Sequence, residues 1–397
     1  MSGWFSPGRI ELLGKHTDYA GGNVLVCAVD RGVTATVTPG TRGIEARSAA
    51  SDDVVTLQPG EDANLPAGHW GHYVNVVADR LAANFGPLRP ARIAIESDLP
   101  LASGMSSSSA LVVSTAMALA SDNGFDTSDA WRAAIADDLA LAGYLACVEN
   151  GSSFGPLAGR AGVGTFGGSE DHTAMLCSLP GQLAQFSFNP ASLVRRVPFP
   201  DDLALVVAVS GVRAEKTGAA LAAYNGASLG VREVLSRWNG ATGRDDPNLA
   251  TAVASSEEAV AVLEALVAYD ARLLGRLRQF VAESTVIVPG GADALARGDV
   301  AALSEMAAES QHWAAEGLHN QVPETQALVD EALGLGALAS TSFGAGFGGS
   351  VWALAERASA DAFAEAWLAA YRARFPEPGQ DAATLVTRPA GAAHPVG

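Results

Sequence analysis

Apolar residues follow two kinds of pattern along the chain, and the first kind indicates β-strands. A continuous apolar run covers residues 24–29, and residues 32–38 then alternate between apolar and polar positions. Residues 92–96 alternate in the same way, whereas residues 203–210 again form an unbroken apolar run. Alternation is typical of a strand with one buried face, and an unbroken run of a strand buried on both faces. We therefore predict strands at all four places.

The second pattern, helical spacing of apolar residues, covers residues 70–84, 106–121 and 131–148. A glycine-rich loop follows over residues 151–168, and the second half is mostly helical until glycines after residue 341 precede a strand at 351–354. Strands and helices occur in both halves, which predicts an α+β fold of two layers with a cleft between them. The proline-containing segment 197–201 marks the expected domain boundary.

Composition narrows the function classes. The 397 residues suggest two or three domains, and a hydrophobic share of 48% supports well-filled cores. A net charge of −18 would repel nucleic acid and anionic lipid, so we expect neither as a partner. The sequence contains no apolar run of membrane-spanning length and no recognisable signal peptide. Its three cysteines lack metal-ligand spacing. We expect a soluble, cytoplasmic protein without a disulfide framework.

Three segments carry candidate chemistry, and each also has a plain structural interpretation. Residues 7–19 pack five charged or imidazole side chains around two glycines, which in most proteins is a solvated turn. The segment is not a P-loop, because five residues separate Gly8 from Gly14 and His16 follows Lys15.

The second segment, residues 99–110, joins a glycine-containing loop to a helix whose first turn is serine. A serine N-cap and free backbone N–H groups there could bind phosphate, or the segment could be an ordinary capped helix. The third segment, residues 342–350, matches the dinucleotide fingerprint G-x-G-x-x-G. A strand-like run follows it where a helix is required, so we reject that reading.

Together the three segments resemble the motifs of the GHMP small-molecule kinases, and of galactokinases in particular. Residues 7–22 resemble P-G-R-V-N-L-I-G-E-H-T-D-Y-x-x-G, residues 100–109 resemble P-x-G-x-G-L-S-S-S-A, and residues 343–349 resemble T-G-x-G-F-G-G. The first motif departs at Glu11, where the family has Asn, and at Lys15, where it has Glu. The second departs at Ala102 and Ser103.

The resemblance implies a fold with an N-terminal domain like ribosomal S5 domain 2 and a C-terminal ferredoxin-like domain. We place these domains at residues 1–199 and 200–397, with the active site in the cleft between them. The implied reaction is ATP-dependent phosphorylation of the anomeric hydroxyl of a sugar, with galactose as first choice.

The resemblance also implies roles for individual residues. Residues 168–172 match the G-I-M-D-Q segment, which makes Asp171 the candidate base beside Arg9. ATP phosphates would lie on Gly104, Ser106 and Ser107, and Mg²⁺ on Ser107 and Glu149. The loop from Glu149 to Asp171 is longer than the family implies. The expected sugar contacts are Arg9, Lys15, His16, Asp18, Gly168 and Tyr224.

Two alternatives to galactose phosphorylation remain open at this point. An ammonium at position 15 would favour a carboxylate at C6 of the sugar, which suggests a galacturonate or glucuronate 1-kinase. Lys15 could instead pair with Glu11 and leave the sugar site unchanged. The second alternative is a sensor that binds sugar and ATP without catalysis.

Overall fold

The computed structural model describes residues 2–100, 104–212 and 218–397, so Ala102 and Ser103 lie outside the described residues. The strands are β1 (Ser2–Leu13), β2 (Asn23–Pro39), β3 (Ile44–Ser48), β4 (Val54–Leu57), β5 (Ala91–Ser97), β6 (Gln182–Phe188), β7 (Ala191–Pro198), β8 (Leu203–Val209), β9 (Ala339–Phe343), β10 (Ser350–Glu356), β11 (Ala383–Thr387) and β12 (His394–Val396). The helices are α1 (Gly71–Phe85), α2 (Ser107–Asn123), α3 (Asp129–Ala134), α4 (Asp138–Asn150), α5 (Glu170–Cys177), α6 (Gly218–Thr242), α7 (Leu249–Val253), α8 (Ala259–Val267), α9 (Ala271–Ala282), α10 (Val288–Arg297), α11 (Val300–Glu316), α12 (Pro323–Gly334) and α13 (Ala360–Arg374).

The first sheet is organised around β2, which is 17 residues long. β1 runs antiparallel along one edge of β2, while β6 and β5 pair with successive parts of the other edge. The apolar run and the alternating run predicted near residues 24–38 are therefore two parts of one strand. The sheet order is β12-β1-β2-β5-β3-β4, with β6 also on β2 and β7 on β6. α2 packs across β1 and β2, and the backbone N–H of Arg9 on β1 donates to the carbonyl of Met105, two residues before α2.

The second sheet begins at β8 and has the order β11-β8-β10-β9, with every pair antiparallel. This order and the intervening helices give the β-α-β-β-α-β arrangement of a ferredoxin-like unit, as the resemblance implied. β8 is buried on both faces: Leu205 and Val207 join the core of the first sheet, while Val206 and Ala208 pack with α12 and α13. Two-sided burial explains its unbroken apolar sequence.

Three details differ from the sequence predictions or add to them. The single helix predicted over residues 131–148 is wrong, because α3 ends at Ala134 and Asp137 starts a new helix by accepting a hydrogen bond from the Ala140 N–H at 2.8 Å. β9 was not predicted, since its sequence of small residues carries no strand periodicity. Rejection of the dinucleotide fingerprint is confirmed, because residues 344–349 connect β9 to β10 in an antiparallel hairpin.

β12 pairs with the start of β1, so the end of the chain returns to the first sheet. None of the helices within the described residues combines the length and apolarity needed to cross a bilayer.

Candidate active site

A cleft of about 240 Å³ lies where β1 and the first turns of α2 and α5 meet the β9–β10 hairpin. Arg9 on β1 and Asp171 on α5 are 162 positions apart in sequence and meet here, and the β9–β10 hairpin lines the same cleft. The cleft is lined by every residue predicted for the site except Lys15, namely Arg9, His16, Asp18, Gly104, Ser106, Ser107, Glu149, Gly168, Asp171 and Tyr224.

Arg9 and Asp171 form an ion pair in the wall of this cleft. Arg9 is 4% exposed, its Nε donates to Asp171 Oδ1 at 2.7 Å, and its Nη2 lies 2.7 Å from the same oxygen. Nη1 donates to the carbonyl of Gly104 at 2.6 Å. Burial opposes the charge on Arg9, but the carboxyl groups of Asp171, Glu170 and Glu11 outweigh burial and raise the pKa of Arg9. The guanidinium is therefore charged and fixed in position.

Ser106 holds the second oxygen of Asp171, which is a different role from the predicted helix cap. Its Oγ donates to Asp171 Oδ2 at 2.5 Å, and Ser109 Oγ lies 3.4 Å from the same oxygen. Ser106 is the N-cap residue of α2, as predicted, but its backbone is left-handed, with φ of 57°, and its hydroxyl makes no capping hydrogen bond. No side chain within the described residues caps α2, so its first N–H groups keep their affinity for an anion.

Glu149 is buried at the end of α4 but reaches the cleft. Its Oε2 accepts a hydrogen bond from Ser109 Oγ at 2.9 Å and lies 3.3 Å from His172 Nε2. Ser107, the other predicted magnesium ligand, is exposed in the cleft wall. Within the part of the chain that the structure describes, no three His, Cys, Asp or Glu side chains are grouped to hold a metal ion.

His16 lines the opposite part of the cleft in a fixed orientation. Its Nε2 donates to the carbonyl of Ala345 at 3.1 Å, and its Nδ1 accepts from the hydroxyl of Tyr19 at 2.9 Å. A carbonyl can only accept, so the hydrogen is assigned to Nε2. The ring centroid of Tyr224 lies 5.5 Å from that of His16. The loop after β1, the β9–β10 hairpin and α6 therefore together form this part of the cleft wall.

Asp18 lies next to Gly168 and accepts a hydrogen bond from the backbone N–H of Glu170 at 3.1 Å. A Cβ atom on Gly168 would lie 2.3 Å from Asp18 Oδ2, so only glycine allows this approach. Burial raises the pKa of Asp18, although the N–H groups of Glu170 and Tyr19 oppose the shift. The loop before α5 thus fixes the position of the Asp18 carboxyl group, which lines the cleft.

The prediction that Lys15 contacts the sugar is wrong. Lys15 is 1% exposed and is not among the residues that line the cleft; its Nζ donates to Ser310 Oγ at 2.5 Å and to Thr341 Oγ1 at 3.0 Å. Burial lowers the pKa of Lys15, and the carboxyl groups of Glu283 and then Glu11 oppose that shift. The ammonium is therefore held by hydroxyl groups inside the protein, outside the wall of the cleft.

α9 continues into a π-helical extension (Glu283–Ile287), and one face of both contacts the turn that carries Lys15 and His16. Arg276 Nη2 donates to the carbonyl of His16 at 2.5 Å, and Gln279 Nε2 donates to the carbonyl of Lys15 at 2.8 Å. Glu283 Oε1 accepts from the backbone N–H groups of residues 14 and 15 at 2.7 and 3.2 Å. These residues are spaced three and four apart, so they lie on one helix face. Their hydrogen bonds fix the backbone of residues 14–16.

Three family profiles match the chain: the galactokinase galactose-binding signature over residues 2–39, the GHMP kinases N terminal domain over residues 72–146, and the GHMP kinases C terminal over residues 292–373. The galactokinase of Chloroflexus aurantiacus is 30% identical over 373 residues, which cover 93% of this chain and 87% of that protein. This chain belongs to the galactokinase family. The galactokinase of Chloroflexus aggregans is 29% identical over 371 residues, with the same coverage of 93% and 87%.

Solved structures confirm the GHMP kinase fold for this member of the galactokinase family. The structure of Lactococcus lactis galactokinase complexed with galactose has a TM-score of 0.80 at 23% identity and covers 99% of this chain and 94% of that one. The structure of L. major mevalonate kinase in complex with R-mevalonate has a TM-score of 0.58 at 17% identity, covering 98% and 96%. The predicted class of enzyme, a sugar kinase, is confirmed by the family. Neither the uronic acid alternative nor the sensor alternative gains support.

In this galactokinase-family chain, sequence reasoning missed two groups of site residues. Glu11 and Glu170 both line the cleft, where the family motifs have Asn and Met. At both positions the departure from the family motif was visible in the sequence and could have indicated a site residue. The face of α9 that fixes residues 14–16 carried no motif, and only its helical spacing of polar residues could have pointed to a buried role.

Proposed function

We propose that this chain transfers the γ-phosphoryl group of ATP to the anomeric hydroxyl of galactose, giving galactose 1-phosphate and ADP. The observation that carries the proposal is the ion pair of Arg9 and Asp171, which lines a cleft together with the first turn of α2. Phosphoryl transfer to a hydroxyl requires a base for the hydroxyl proton and a site for the phosphates, and the N-terminus of a helix can supply that site.

In this proposal Asp171 takes the proton of the anomeric hydroxyl. One of its oxygens is held by Arg9 and the other by Ser106, so the carboxylate is fixed when the sugar enters. The sugar oxygen then bonds to the γ-phosphorus, the bond from that phosphorus to the bridging oxygen breaks, and the electron pair leaves with ADP. Arg9 offsets the negative charge near the transferred group. Phosphoryl transfer depends mainly on such positioning and charge stabilisation.

The two substrates would occupy different parts of the cleft. His16, Asp18, Gly168 and Tyr224 supply the polar and aromatic wall for the sugar, whereas Gly104, Ser106 and Ser107 lie at the start of α2 for the phosphates. The residues present fit a magnesium ion, since the hydroxyl of Ser107 and the carboxylate of Glu149 are hard oxygen ligands and phosphate oxygens would complete the set. When bound, the ion would neutralise phosphate charge.

We also propose that the chain divides into domains at residues 1–199 and 200–397. The second sheet begins directly after this point, at β8, and β12 pairs with β1 of the first sheet. Use of ATP, together with three cysteines that are free thiols, favours a cytoplasmic location.

A coupled ADP-release assay with a panel of sugars tests the proposed activity. We expect galactose-dependent ADP formation, and we expect nuclear magnetic resonance of the product to place the phosphate on the anomeric carbon. Galacturonate should give no turnover, because the ammonium of Lys15 is buried behind the cleft. Binding of galactose and ATP without ADP release would instead identify a sensor and refute the proposal.

A further inference from the structure

Glu11 and Glu170 form a pair of buried carboxyl groups beside the catalytic ion pair. Glu11 lies two residues after Arg9 on β1, and Glu170 directly precedes Asp171 on α5, so β1 and α5 contribute one residue to each pair. Residues two apart on a strand point to the same face, which places both pairs side by side. Glu11 is 3% exposed and Glu170 is 5% exposed.

The contact between these two carboxyl groups requires a proton. The two carboxyl groups act on each other in the protein interior, and two ionised carboxylates could only accept hydrogen bonds, so a hydrogen bond between them needs a proton on one of them. Within the described residues, Oε1 of Glu11 and Oε1 of Glu170 are both buried and have no hydrogen-bond partner. Burial is the main cause that raises the pKa of both, to about 7 for Glu11 and well above its usual value for Glu170.

If both Glu11 and Glu170 were ionised, few nearby cations could compensate the second negative charge. Arg9 faces both carboxyls, and Lys15 faces Glu11. The hydroxyl of Tyr19 also lies near Glu11. Acidic side chains surround the pair as well: Asp18 and Asp171 raise the pKa of Glu170, and Glu283, on the extension of α9, raises the pKa of Glu11. These negative neighbours oppose ionisation of both members at once.

We propose that Glu11 and Glu170 share one proton and act as positioning residues for Arg9, so that loss of this proton at higher pH draws the guanidinium from Asp171 towards Glu170. The distances support such a competition. Arg9 Nε donates to Asp171 at 2.7 Å and already lies 3.6 Å from Glu170 Oε1. The proton is released to solvent through the cleft that both residues line. The effect on catalysis rests on the proposed function, whereas the shared proton does not.

Glu170→Gln and Glu11→Gln test the proposal, because each leaves a fixed single negative charge and an amide that can donate within the pair. In the wild-type chain we expect kcat to fall above neutral pH by up to about tenfold per pH unit, as a single ionisation of an essential group predicts. Both variants should lose this alkaline fall. Exposed Glu257→Gln serves as the matched control and should keep the wild-type profile. Circular dichroism at each pH shows that the chains remain folded.

A second measurement separates this proposal from the proposed function. Infrared difference spectra between pH 6 and pH 9 should show loss of one more protonated carboxyl in the wild-type chain than in either variant, even in a preparation without kinase activity. An alkaline fall that persists in both variants, or identical infrared differences in all chains, would overturn the shared proton and its role. Absence of activity in the wild-type chain would refute only the proposed function.

Discussion

Lys15→Glu places the family's usual residue at position 15 and is expected to destabilise the protein without improving sugar binding. In the structure Lys15 Nζ donates to Ser310 and Thr341, while Ser310 also donates to Glu283 at 2.7 Å. The substitution removes the buried cation of this cluster and adds a carboxylate that faces Glu283 and Glu11. Like charges without a counterion are strongly unfavourable in a buried position.

The size of the loss follows from burial of the whole cluster. Breaking a buried ion pair by removing one partner costs about 3–5 kcal/mol of unfolding free energy. That is a large share of the ~5–15 kcal/mol that stabilises a typical protein. At about 2 °C per kcal/mol for a large domain, the unfolding midpoint should fall by roughly 6–10 °C.

Thermal and urea unfolding followed by circular dichroism measure this change, and a double variant supplies the control. Adding Glu283→Gln to Lys15→Glu should restore part of the loss, because the amide oxygen can still accept from the backbone of residues 14 and 15 while its NH₂ group donates to the new carboxylate. The reasoning is refuted if Lys15→Glu is as stable as the wild-type chain and lowers KM for galactose. That result would place the side chain of residue 15 in the sugar site.

The remaining predictions concern the ion pair, the sugar wall and the pH dependence of stability. Arg9→Met should lower kcat by about 10²–10³, the usual effect of losing a group that stabilises charge in a water-poor site, as measured under saturating substrates. Gly168→Ala should raise KM for galactose with a smaller change in KM for ATP, because its Cβ would displace Asp18; equal changes would argue against a sugar role for Asp18. The pKa of Glu11 is raised from 4.5 to about 7, so its carboxyl stabilises the fold most below pH 4.5 and this contribution is lost as pH rises towards 7. Urea titrations should show this decline in the wild-type chain and a weaker decline in Glu11→Gln.

Strong local patterns in the sequence predicted much of the fold. The unbroken run of β8 and the alternation of β5 are direct consequences of their burial, so they could be read from single segments. β9 could not, because its small polar residues become buried only through pairing with β10 and packing of α11. The break between α3 and α4 depends on one aspartate that caps a new helix instead of continuing the old one.

The candidate site was predictable where residue type and motif agreed, and the error at Lys15 shows why this has a limit. A motif gives a position on the chain but not the direction of the side chain. Glu283, more than 260 residues away in sequence, accepts from the backbone of the turn and attracts the ammonium into the interior. The shared contact of Glu11 with Glu170 likewise depends on how β1 meets α5 in space.

The central claim is that Asp171 takes the proton of the sugar hydroxyl while other residues bind the sugar. The most direct test measures galactose binding by calorimetry and phosphoryl transfer by rapid quench in Asp171→Asn, with exposed Asp245→Asn as the matched control. We predict that Asp171→Asn binds galactose with little change in Kd but transfers phosphate about 10²–10⁴-fold more slowly, as expected for loss of a general base. Transfer at more than a tenth of the wild-type rate in Asp171→Asn would contradict the account.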